Sequence, residues 1–86
     1  MFKKCMCCGF YTIDSDDEVI SSICDVCFWQ YDIVAQQHPE KSIGPNKISL
    51  NEAKNNYRRY GACKKEYVDR KLVREPKNDE FPMLFE

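Results

Sequence analysis

The chain has 86 residues, 13 Lys and Arg against 14 Asp and Glu, and 43% hydrophobic residues, which is the size of one small domain with a formal charge of −1. A core of that size is marginal without metal or disulfides, and six cysteines offer either. No apolar run approaches the ~20 residues of a membrane span, so we expect no membrane partner.

The small net charge conceals a segregation along the chain. Residues 1–46 carry three bases against seven acids, residues 47–74 carry nine against three, and residues 75–86 carry one against four. The middle stretch alone invites an anion.

Met1-Phe2-Lys3-Lys4 runs directly into the first cysteine, so we expect an extended lead, no secretory leader and a cytoplasmic location. In that compartment thiols stay reduced, and paired Cys-x-x-Cys motifs favour metal over disulfides or a redox dithiol. Cys5-Met6-Cys7-Cys8 and Cys24-Asp25-Val26-Cys27 are two such motifs, with fifteen residues between them. The spacing predicts a four-cysteine site at Cys5, Cys8, Cys24 and Cys27 for one structural Zn2+, closed to water and substrate. Four thiolates suit iron as well. Cys7, adjacent to Cys8, cannot readily face the same metal. Cys7 and Cys63 then read either as small buried apolar side chains or as a pair close enough to form a disulfide or reactive dithiol.

Gly9 stands where a metal knuckle needs positive φ. Phe10–Ile13 and Val19–Ile23 have strand composition, and the charged run Asp14–Glu18 between them reads as a turn, giving a hairpin that carries both knuckles. Phe28, Trp29 and Tyr31 read as core, with Trp29 and Tyr31 the alternative candidates for an interface anchor. The pattern at Ile33–Ala35 fits a helical turn or irregular chain equally. His38 to Asn46 reads as a loop because it holds two prolines and a glycine, and His38, the only histidine, is expected to be solvent-exposed.

Ser49-Leu50-Asn51-Glu52 has the form of a capping box and starts a helix. Leu50, Ala53, Tyr57 and Tyr60 recur on one face of it, and Gly61 suits its end. A weaker helical stretch opens at Cys63, with Cys63, Tyr67, Val68, Leu72 and Val73 inward, and stops at Pro76. The expected fold is small α+β: an N-terminal four-cysteine zinc-ribbon β-hairpin packed against one or two C-terminal helices. Residues 1–76 would form the domain and 77–86 a tail, docked or flexible, ending in the apolar Phe81–Phe85.

Cys5-Met6-Cys7-Cys8-Gly9-Phe10-Tyr11, Cys24-Asp25-Val26-Cys27-Phe28-Trp29, Asn46–Ala53 and Tyr60-Gly61-Ala62-Cys63 together resemble the bacterial cysteine-rich CPCC family over about residues 3–68. Met6 departs from the family pattern, which has proline there; it should loosen the first knuckle slightly without removing a ligand. The resemblance implies a small cytosolic protein with a metal site and no established activity. By analogy of protein type, it suits an immunity partner that neutralises a secreted bacterial toxin.

Three functions compete at this level. The first is a non-enzymatic binding protein, ordered by zinc, that docks on another protein. Its candidate surface is Asp14, Asp16, Asp17, Glu18, Trp29 and Tyr31; there is no phosphate loop, open metal site or Ser/His/Asp set. The second is nucleic-acid binding through Lys54, Arg58, Arg59, Lys64, Lys65, Arg70, Lys71 and Arg74 interleaved with tyrosines. The third is thiol redox chemistry, which would need a low-pKa thiol at Cys5 or Cys7.

Overall fold

The computed structural model describes residues 2–14, 22–42 and 44–82. Strand β1 (Phe2–Lys4) pairs antiparallel with β2 (Tyr11–Asp14), placing Phe2 opposite Asp14 and Lys3 opposite Ile13, with a register shift after Lys3. The first knuckle therefore sits at the tip of its own hairpin. Phe2–Lys4, the expected extended lead, is a strand paired with β2; the strand expected from the sequence as partner of β2 is Val19–Ile23.

Of that expected strand, Val19–Ser21 lie outside the described residues, as do Ser15–Glu18. Ile23 makes an isolated antiparallel bridge with Gln30, and the Tyr31 N–H donates to the Ser22 carbonyl at 2.8 Å. The second knuckle is thus also the tip of a narrow loop. The physical reason is local: a knuckle turns the chain back on itself, so its own flanks meet at less loop-closure entropy than two distant strands would.

The loop read between His38 and Asn46 closes on this second tip. Asn46 is buried, its Nδ2 donates to the Gln30 carbonyl at 2.8 Å, and its Oδ1 accepts from the Gln30 N–H at 2.9 Å. One amide side chain thereby pairs Gln30 as a neighbouring strand would.

Among the described residues there are three α-helices. Helix α1 (Ile33–Gln37) settles the open reading at Ile33–Ala35: the Asp32 carboxylate accepts from the Val34 and Ala35 N–H groups, and Ala35 is buried. Helix α2 (Leu50–Tyr60) begins where Ser49 accepts from the Glu52 N–H at 3.0 Å and ends at Gly61, whose φ of 88° is left-handed. Leu50 and Ala53 are buried and Tyr57 packs on the core, but Tyr60 is exposed with Arg59 over its ring.

Helix α3 covers only Lys65–Asp69, shorter than the stretch expected from Cys63 to Pro76. Lys71 ends it at φ 58°, with the Leu72 N–H donating to the Tyr67 carbonyl at 2.9 Å and the Lys71 N–H to Val68 at 3.0 Å. This pair of bonds is a Schellman motif, which closes a helix before the apolar pattern runs out.

The core joins these pieces. Trp29, Ile13 and Val26 are its largest fully buried side chains, packed with Cys5, Cys24, Cys27, Ala35, Leu50, Ala53 and Cys63. The result is a small α+β fold with the four cysteines beside the hairpin.

Candidate metal centre

The two knuckles are built alike. In the first, the Cys5 N–H donates to the Phe10 carbonyl at 2.8 Å and the Gly9 N–H to the Cys5 carbonyl at 2.9 Å. In the second, the Cys24 N–H donates to Trp29 at 2.9 Å and the Phe28 N–H to Cys24 at 2.8 Å. The fifth residue of each turns left-handed, Gly9 at φ 83° and Phe28 at φ 69°. Glycine announces that turn in sequence, but phenylalanine does not. Phe28 is held there by its ring, 4.8 Å from that of Tyr67.

These turns bring together the predicted ligands Cys5, Cys8, Cys24 and Cys27, whose Sγ atoms all lie within 4.8 Å of one another. Two close pairs cross between knuckles: Cys5 to Cys27 at 3.5 Å and Cys8 to Cys24 at 3.7 Å. Tetrahedral coordination with metal–sulfur bonds near 2.3 Å places sulfurs about 3.8 Å apart, so the four fit a metal ion of zinc size. All six cysteines are free.

Crowding decides the protonation of the cluster. Hydrogen bonding with Cys24 pushes the Cys5, Cys8 and Cys27 thiols far above their ordinary range. The bond from Cys27 leads those that hold Cys24 far below it. Four thiolates this close need a cation among them, and loading one displaces protons. The Thr12 hydroxyl, 2.8 Å from the Cys24 sulfur, donates to it from outside the ligand set. Sequence reasoning missed Thr12 because nothing in its local pattern shows that β2 faces the second knuckle.

Cys7 and Cys63 are buried, at 7% and 0% exposure, and both thiols are free. Burial pushes the Cys63 thiol up to about 12, with the neighbouring Cys7 adding to it. The Cys63 N–H donates to the Cys27 carbonyl at 2.9 Å, tying the chain after α2 to the second knuckle.

The other candidate residues fare differently. Trp29 is 0% exposed and Tyr31 9%, so both belong to the core and neither is a surface anchor. Large aromatic area is what a core this small needs most. Asp14 ends β2, while Asp16, Asp17 and Glu18 lie outside the described residues.

Of the basic candidates, Arg58, Arg59, Lys65, Arg70 and Lys71 are exposed, and Lys54, Lys64 and Arg74 are half-buried. Several are engaged: Arg58 with Asn55, Lys65 with Asp69 at 3.6 Å, and Lys64 over the Tyr67 ring at 5.7 Å. Arg74 forks onto both Glu80 oxygens at 2.8 Å and faces Asp25 at 3.9 Å. That fork holds the Glu80 carboxyl down at about 2. His38 is exposed where α1 ends.

No helix among the described residues is long and apolar enough to cross a membrane. No curated protein and no solved structure matches the chain. The family model for cysteine-rich CPCC proteins matches residues 3–80, which takes in both knuckles, all three helices and the turn that Arg74 holds, and the chain belongs to that family.

Proposed function

We propose that the four sulfurs hold one structural Zn2+ and that the ordered protein is a non-catalytic binding protein, docking on another protein in the manner of an immunity partner to a bacterial toxin. The carrying observation is the closed four-sulfur set, with the Cys5–Cys27 and Cys8–Cys24 contacts bridging the two knuckles. Four protein ligands leave a tetrahedral ion no position for substrate. Thiol redox chemistry has little to stand on, since its two candidate thiols, Cys5 and Cys7, are buried at 2% and 7% exposure.

With Trp29 and Tyr31 buried, anchors for a partner are better sought at Ile33 and Val34, neighbours at the start of α1 that are 44% and 53% exposed. Nucleic-acid binding stays as a second reading because Arg58, Arg59, Arg70 and Lys71 are exposed.

Native mass spectrometry before and after a strong chelator tests the metal. One zinc per chain, with all six thiols slow to alkylate until chelation, is the expected result; a metal-free chain overturns it, and iron replaces zinc in the assignment if its mass appears. Anisotropy with labelled duplex DNA and single-stranded RNA then separates the readings. No binding at low salt favours a protein partner, and an affinity that falls steeply with salt favours the exposed arginines and lysine.

A further inference from the structure

The chain after α3 folds back to both knuckles. Arg74 holds Glu80 by its two-nitrogen fork and reaches Asp25, which lies inside the second knuckle beside Cys24. Glu80 also accepts from the Lys77 N–H at 2.7 Å, fixing a 3-10 turn at Asn78–Glu80. The next residue, Phe81, meets Phe10 edge-on with ring centroids 5.0 Å apart, and Phe10 lies two residues after Cys8. Phe10 in turn meets Tyr57 on α2 at 6.3 Å.

The anchors at Asp25 and Phe10 thus adjoin in sequence Cys24 and Cys8, the two ligands whose sulfurs stand 3.7 Å apart. Among the four ligands, Cys8 alone is not buried. It is the sulfur a competing chelator or incoming metal would reach first.

We propose that Arg74–Phe81 is a strap across the Cys8 edge that sets how fast metal leaves and enters the site. The inference rests on reading the four sulfurs as metal ligands. Each anchor is a weak contact, one an ion-pair network near the surface and one an aromatic pair, so the strap opens locally while the rest of the fold stays closed. Release then proceeds through the open form, and weakening either anchor speeds it.

The test is stopped-flow transfer of zinc from the loaded full-length protein to excess chelator with a zinc-sensitive dye, for wild type, Glu80→Gln and Phe81→Ala. Each variant should release metal about five-fold faster at unchanged far-UV circular dichroism, as the loss of one weak contact predicts. Phe81→Tyr should restore the wild-type rate. A measurement without variants runs beside it: added salt should speed release from wild type and have less effect on Glu80→Gln. One equivalent released at the same rate by all variants and at all salt concentrations overturns the strap alone. No metal released at all overturns the site, and the strap with it.

Discussion

Asn46 shows how much of this fold can depend on one side chain outside any helix or strand. Its amide supplies both the donor and the acceptor that Gln30 needs, in a buried place where water does not reach easily. Asn46→Ala leaves two backbone groups unpaired and should lower stability by about 2–3 kcal/mol in urea denaturation of the metal-loaded protein, well beyond an ordinary surface change. Nothing in its neighbourhood, Gly44-Pro45-Asn46-Lys47, distinguishes a buried pairing residue from a turn asparagine, because the partner lies sixteen residues away. The ligands were legible for the opposite reason. Two-residue spacing within Cys5–Cys8 and Cys24–Cys27 is a local geometric requirement, and the resulting sulfurs do converge. Substitution at these positions should separate the two kinds of cysteine. Cys24→Ser should abolish metal binding and with it the thermal transition of the folded chain, whereas Cys7→Ser, a small buried change outside the ligand set, should keep one metal per chain by mass spectrometry.

At the scale of elements, what the sequence disclosed followed its chemistry of caps. Ser49 and Gly61 bound α2 as read, since both act on backbone groups within a few residues. The end of α3 escaped notice because Lys71 occupies a left-handed position that usually carries glycine. An exposed lysine there is strained without compensation in packing, so Lys71→Gly should raise stability by about 0.5–1 kcal/mol, read as a higher urea midpoint at unchanged slope. Phe28 is the contrasting case. It is left-handed too, but its ring contact with Tyr67 gives something back, and the backbone relief of a glycine there is offset by that loss. The pairing of β1 with β2 was missed because Phe2–Lys4 is too short to show a strand period, and all three of its residues are exposed.

For the whole molecule, the acidic limit of stability has two separable sources. Glu80 sits at about 2 when folded, against about 4.3 in an unfolded chain. A depressed folded value means that its contribution is complete above ~4.3 and disappears as pH falls through about 2. The stability difference between wild type and Glu80→Gln should therefore stay flat from about pH 7 down to about pH 5, while protonation of the metal's thiolates lowers the stability of both proteins alike. A difference that shrinks across this window would place the Glu80 titration higher and the Arg74 fork weaker. Each knuckle closes on its own flanks, so each arrives at the metal as a short two-toothed grip formed from neighbours in sequence. Only the joining of the two grips is long-range, and the fifteen residues from Gly9 to Ile23 set its entropy. Because that entropy grows with the logarithm of length, doubling the intervening chain with a polar insert among residues 15–18 should weaken apparent metal affinity by only about three-fold, from ~0.6 kcal/mol. Such a protein carries its specificity for metal in two tight local turns and leaves the chain between them free to vary in length.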